Sequence, residues 1–379
     1  ETIEIAERLE RFRWGALQIT QMRPAYEPPI VMVVFGTEAQ MRPYAPLYQG
    51  KPREVSGVFS SNPYEATIMV YANEDMDYTM RTVAHEYVHF LVKSRKLVLP
   101  TWLNEGLAEL FETLQTDNDK VVFGQVAKDQ VRCLQRERML PLHRLFAIGH
   151  NSQEYNEEDQ QHLFYAQSWL LVHYWMCGAK QNKIQQFRNF TNSLVSPELG
   201  TEEAFAKAFG MDFAAMEKEL EGYLRHGHYV MPILRGKLPD IRSTLKAQPL
   251  GDAERDLVLW ALKWTMQQTE VADAHLRLLA DQLPSNPRPY EWLAMIARSR
   301  NETAAARDYL QKAYDLGSRK TWVLYALAKE VDQQLRAGGR LDFRMPEKQS
   351  TQMRSWLDQA LAQDPHFTPA LEILAMVEA

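Results

Sequence analysis

The sequence predicts an α+β fold: a small N-terminal β-sheet, a mostly helical remainder of the same domain, and then an all-α domain of helical hairpins. Three observations carry this. The first 75 residues hold the β-branched runs bounded by turn residues, and from Asp77 onward apolar residues recur at helical spacing. Beyond about residue 250, similar residues return every 32 or 33 positions. A chain of 379 residues exceeds what one ordinary core encloses, so two domains are expected, 1–240 and 241–379.

Taken in order, Ile3–Gln18 reads as a helix. Ile30–Phe35 (IVMVVF) follows, a continuous apolar run between Pro28-Pro29 and Gly36, as befits a buried strand. Glu54–Ser60 and Ala66–Ala72 are further strands, separated by the turn cluster Ser61-Asn62-Pro63. Asp77 caps a helix running to about Arg95, with Met80, Ala84, Tyr87, Val88 and Leu91 on its apolar face. Pro100 closes the connection and Thr101 caps the next helix, whose core stripe is Leu103, Leu107, Leu110, Phe111 and Leu114. Later helices are expected over Val122–Gln135, Glu158–Met176, Lys180–Thr191, Thr201–Phe209 and Asp212–His226.

His228–Gly251 is richer in Pro and Gly and reads as the boundary. After it, Trp260, Trp292 and Tyr325 stand 32 and 33 residues apart, and the pairs Ala280/Ala313 and Leu283/Leu316 are each spaced by 33. That period, on paired helices, fits tetratricopeptide-like units. An insertion at Arg336–Lys348 interrupts the third unit, and Thr368–Glu378 reads as the first helix of a fourth.

Composition removes several function classes. The net charge of -6 disfavours nucleic acid, which selects basic faces. No apolar stretch approaches the roughly 20 residues of a membrane-spanning helix. Cys133 and Cys177 make no disulfide framework and lack zinc-pair spacing. Trp14, Trp169 and Trp175 read as core anchors, and His226 and His228 as a surface pair. The chain opens on Glu1 rather than methionine. Its compartment is left open, extracytoplasmic if a secretion signal preceded Glu1.

The chemistry concentrates in His85-Glu86-Tyr87-Val88-His89. Residues four apart on a helix project side by side, so both imidazoles can reach one zinc ion. Glu86 leaves the helix on a flanking side, near the metal but not bound to it, where it can shuttle a proton. A catalytic zinc takes three protein ligands and keeps a fourth position open. Glu105, sixteen residues after His89 and across the Pro100-Thr101 break, supplies the third. Glu109 lies one turn further on the same side, where it would orient a ligand imidazole. Either glutamate alone would read as a solvated helix face. The neighbouring motif reverses this for Glu105 and leaves both readings open for Glu109.

HEYVH followed by WLNEGLAEL resembles the gluzincin metallopeptidases. Residues from about 25 to 230 are similar to the bacterial peptidase-MA-like domains, which share a short sheet, HEYxH, an LPxWLNEGLAE helix and a YAQSW helix, here Tyr165–Trp169. The resemblance implies a gluzincin-type domain with His85, His89 and Glu105 as zinc ligands and Glu86 as base. It also favours Tyr165, 60 residues after Glu105, as the donor to the developing oxyanion, with Tyr155, His162 and His173 as rivals. One departure is informative. Gluzincin aminopeptidases carry a glutamate before the zinc motif that anchors the substrate amine, and Gly57–Asn62 has no carboxylate. Endopeptidase action is therefore expected over amino-terminal trimming. The expected partners are a peptide or protein substrate and a protein docked on the repeats. The alternative is a zinc-containing scaffold, non-catalytic or autoinhibited, acting through those repeats.

Overall fold

Thr2–Thr20 (α1) opens the chain as an amphipathic helix, burying Ile5, Leu9, Phe12 and Ala16. The computed structural model describes residues 2–20, 29–48, 50–62, 65–95, 97–117, 119–178, 183–195, 199–337 and 346–378. Pro28 and Pro63 of the expected turn clusters, residues 180–182 of an expected helix and residues 338–345 of the expected insertion lie outside them.

Ile30–Phe35 (β1) pairs in parallel with Ala66–Tyr71 (β5), and Gly57–Ser61 (β4) joins the other side of β5 antiparallel. The order β1-β5-β4 makes β5 central, and Ala66, Ile68, Met69 and Val70 are all inaccessible to solvent. β4 is left as an edge. Between β1 and β4 come the short helix Glu38–Met41 (α2) and a small hairpin, Leu47–Tyr48 (β2) with Lys51–Pro52 (β3).

Met76–Ser94 (α3) packs on this sheet. Its N-cap is Asp75, not Asp77: the Asp75 carboxylate accepts the Asp77 backbone N–H at 2.9 Å, starting the helix earlier than expected. Thr101–Phe111 (α4) begins directly after Pro100, and Thr101 is its buried first residue and makes no side-chain cap. Gln115–Thr116 (β6), Lys120–Val122 (β7) and Ile233–Arg235 (β8) form a second small sheet. This corrects the expected helix from Val122. Gly124 takes a left-handed φ of 68°, which ends β7, and the helix begins only at Lys128.

The remaining helices of this half are Lys128–Arg136 (α5), Leu142–Ala147 (α6), Gln153–Asn156 (α7), Glu158–Cys177 (α8), Lys183–Val195 (α9), Thr201–Phe209 (α10) and Phe213–His226 (α11). α8 runs through the centre, with Phe164, Trp169 and Trp175 fully buried against α4 and its neighbours. A built Cβ at Gly106 of α4 would lie 2.5 Å from the Ser168 carbonyl oxygen, so only glycine allows these helices their approach. Cys133 and Cys177 are free thiols.

Asp252–Thr265 (α12), Thr269–Gln282 (α13), Arg288–Ser299 (α14), Thr303–Asp315 (α15), Thr321–Ala337 (α16), Glu347–Gln363 (α17) and Thr368–Glu378 (α18) follow. They pack as the hairpins α12–α13, α14–α15 and α16–α17, with α18 against the last. Their core, including Trp292, Val323, Leu324 and Leu357, is separate from that around α8. A third apolar cluster crosses the expected boundary: Met41 and Met69 meet Leu262 and Met266 of α12 and its turn. Among the described residues, no helix is long and apolar enough to cross a membrane.

Candidate metal centre

The α3 helix presents His85 and His89 one turn apart, with ring centroids 4.9 Å from each other. The loop after α3 returns the chain at Pro100, and α4 lies against both α3 and α8. With Gly106 pressed on α8, the preceding Glu105 faces α3. Its Oε2 lies 3.3 Å from His85 Nε2 and 3.4 Å from His89 Nε2. The three ligand atoms fall within 4.8 Å of one another, the geometry of a set able to hold one metal ion.

Burial and charge act against each other here. Burial disfavours the ionised Glu105, yet the charges of His89 and His85 and their hydrogen bonds outweigh it and hold the carboxyl well below its usual range. Burial likewise disfavours the imidazolium of His85, but hydrogen bonds to Glu105 and Glu112 drive its pKa well up. His89 is raised too, because Glu105 overcomes its desolvation. The donors thus attract positive charge to a place where water is scarce. That is the environment a bound cation would satisfy.

Glu86 stands beside this group, 9% exposed. Burial raises its pKa, while His89 and His85 pull it back. The Phe59 backbone of β4 also draws it down, by a smaller amount. β4 approaches this closely because of Gly57, where a Cβ would meet Thr82 Cγ2 at 2.6 Å and Glu86 Cγ at 3.1 Å.

Behind His85, Glu112 Oε2 is 3.3 Å from Nδ1, while Glu109 Oε1 is 3.8 Å away. Glu109 instead receives the side-chain amide of Gln130, and burial with the nearby Glu112 charge pushes its pKa up to about 8. Sequence reasoning missed Glu112. It occupies the position just past the α4 C-terminus, seven after Glu105 and on the same face, and that spacing was the available signal. His89 Nδ1 is buried without a hydrogen-bond partner among the described residues.

A cleft of about 650 Å³ opens over the centre, lined by His85, Glu86, His89, Glu105, Tyr155 and Tyr165 among others. The Tyr155 O–H donates to Glu105 Oε1 at 3.1 Å. Tyr165 has its ring 6.2 Å from that of His85, and its hydroxyl accepts from Gln161 at 3.5 Å. Burial, then the Glu105 charge, raises the pKa of both phenols, so both remain O–H donors. The structure does not bring the other two rivals to the cleft. His173 is buried between the Gly124 carbonyl and the Tyr223 hydroxyl, each at 2.9 Å, and His162 is exposed. His226 and His228 are exposed as well.

Residues from beyond α11 also reach the cleft. Thr265 at the end of α12, with Met266 and Gln267 in the turn that follows, forms part of its wall, and Ser60 Oγ of β4 donates to the Thr265 carbonyl at 3.2 Å. A larger groove of about 1610 Å³ lies beyond the other face of α3. Several of its cations are paired: Arg8 with Asp77 at 2.8 Å, Arg11 with Glu7 at 3.1 Å and Arg132 with Asp129 at 2.9 Å.

The model of a family described as the Peptidase MA superfamily matches residues 18–226, more than half of the chain. The match contains every residue of the centre. No curated protein matches the chain.

Proposed function

The chain belongs to the peptidase MA superfamily, and from that premise we propose that it is a zinc-dependent peptidase that cleaves within extended polypeptides. The reading is carried by the convergence of His85, His89 and Glu105 within 4.8 Å, beside buried Glu86 in an open cleft. Two imidazoles and one carboxylate fit zinc and leave a coordination position open. A zinc ion held there supplies a Lewis acid for the scissile carbonyl and makes water nucleophilic near neutral pH.

The protein's own groups do the rest. Glu86 takes the proton of the attacking water and passes it to the leaving amine nitrogen. A carboxylate whose proton affinity is raised by burial suits both halves of that task. Glu112, with Glu109 behind it, accepts the Nδ1–H of His85 and so turns the Nε2 lone pair toward the ligand position. Tyr155 steadies Glu105. Tyr165 is the donor we assign to the charge developing on the carbonyl oxygen. β4, as a free sheet edge, offers backbone groups to an extended substrate. Having no carboxylate, it offers no anchor for an amino terminus, which supports internal cleavage. The hairpins beyond Asp252, read as tetratricopeptide-like, would dock a protein partner or the substrate.

Glu86→Gln tests the reading. Zinc measured by mass spectrometry stays at the parent level, while turnover of a broad peptide library falls at least about 100-fold. Undiminished turnover would end the assignment. A second reading, a zinc-holding scaffold with a closed site, draws on the Thr265–Gln267 segment in the cleft wall. It takes precedence if the zinc-loaded parent cleaves nothing in that library.

A further inference from the structure

Arg53 lines the same cleft as the metal-centre residues and is half-buried there. It follows β3, and its backbone N–H donates to the Pro46 carbonyl at 2.9 Å, which fixes where the side chain starts. The guanidinium sits over the ring of Tyr155, 5.5 Å from its centroid, and Tyr155 in turn touches Glu105. Among the described residues no carboxylate pairs with it. Nearby Arg42, by contrast, has Glu54 at 3.7 Å. Stacking on a ring leaves the guanidinium's in-plane N–H donors free, and their fork geometry matches a carboxylate.

Direction comes from the sheet. β4 runs from Gly57 to Ser61, and Arg53 enters at its Gly57 end. At the other end, Ser60 is tied to Thr265, and Met266 and Gln267 continue the wall. A peptide that adds antiparallel to this edge points its C-terminal side toward Gly57, hence toward Arg53. We propose that Arg53 is a substrate-recognition residue that binds a carboxylate on the C-terminal side of the cleaved bond. This rests on the peptidase reading above. The carboxylate is either the substrate's own terminus or a Glu or Asp side chain; the chemistry is the same and the test separates the two.

Peptide pairs differing only in a free or amidated C-terminus, and pairs with Glu or Gln one and two residues past the cleavage point, are compared on the zinc-loaded full chain. The acid member is preferred by about tenfold or more in kcat/KM, as a charge-assisted bidentate contact predicts. Arg53→Ala brings that acid-to-neutral ratio close to one, and Arg53→Lys keeps part of it. The pair that shows the preference identifies the source of the carboxylate. A ratio that survives Arg53→Ala, with both members slowed equally, would reduce Arg53 to a prop for Tyr155 and overturn the proposal. Zinc content and melting temperature establish that each variant is folded. The same pairs titrated into the zinc-loaded Glu86→Gln protein read the preference without turnover. Equal binding of acid and amide rejects the role of Arg53, whereas absence of cleavage by the parent rejects the peptidase reading instead.

Discussion

Both halves of the molecule bury carboxylates, and they neutralise them differently. Among the hairpins, Glu291 and Glu330 are 2% and 3% exposed, and each meets a permanent cation, Lys320 at 2.7 Å and Arg298 at 2.6 Å. Around α3 and α4, Glu105 is 1% exposed, and among the described residues the cationic partners it meets are the imidazoles of His85 and His89. A guanidinium or ammonium closes the account of a buried acid at any physiological pH. An imidazole does not, because it can give up its proton and lend its lone pair to a metal. The first kind of neutralisation makes structure, and the second leaves a place for a cation to enter.

That contrast can be broken at either end. The largest effect is expected from His89→Ala, which removes one of the proposed ligands: bound zinc falls from one equivalent to near zero by mass spectrometry, and turnover goes with it. Retention of the metal would place it elsewhere. Next comes Glu330→Ala, which strands Arg298 in the hairpins. Breaking one partner of a buried pair costs about 3–5 kcal/mol, read as a lower denaturation midpoint, with zinc affinity unchanged. A loss under about 1 kcal/mol would mean that Arg298 finds water and that the hairpin pair is no closure at all. The smallest effect sharpens the comparison inside the centre. Glu112→Gln keeps an acceptor but not a charge, and a zinc titration should weaken by about 10–100-fold. Should Glu109→Gln weaken it more, the more distant carboxylate would be the one that orients His85.

What was legible beforehand follows from how each signal is written. The two helices that carry the HEYVH and NEG motifs announce themselves by spacing within a few turns of chain, and their positions agree with the structure to within a few residues. β6, β7 and β8 left no such trace. Lys120–Val122 pairs with nearby Gln115–Thr116 on one side and with Ile233–Arg235, arriving from across the intervening helices, on the other, and nothing local encodes the second meeting. Asp75 and Asp77 are equally good caps on paper, and only the backbone decides between them. The meeting of His85, His89 and Glu105 beside Glu86 could be anticipated because motif and helix geometry coincide. Glu112 sits just past the end of α4, where only its seven-residue spacing from Glu105 points at it, and Arg53 lies outside any regular element, where no periodicity does.

The cluster of Met41, Met69, Leu262 and Met266 has a consequence for inheritance. A Pro- and Gly-rich stretch such as His228–Gly251 looks like a natural place for recombination to join one module to another. Yet an N-terminal half transplanted without its α12 would carry two methionines facing solvent and a cleft missing its Thr265–Gln267 wall. Any new C-terminal module would have to bring apolar side chains to the same two positions. The two halves are therefore expected to travel through evolution as one unit, and relatives that swapped the hairpins should show compensating polar residues at positions 41 and 69.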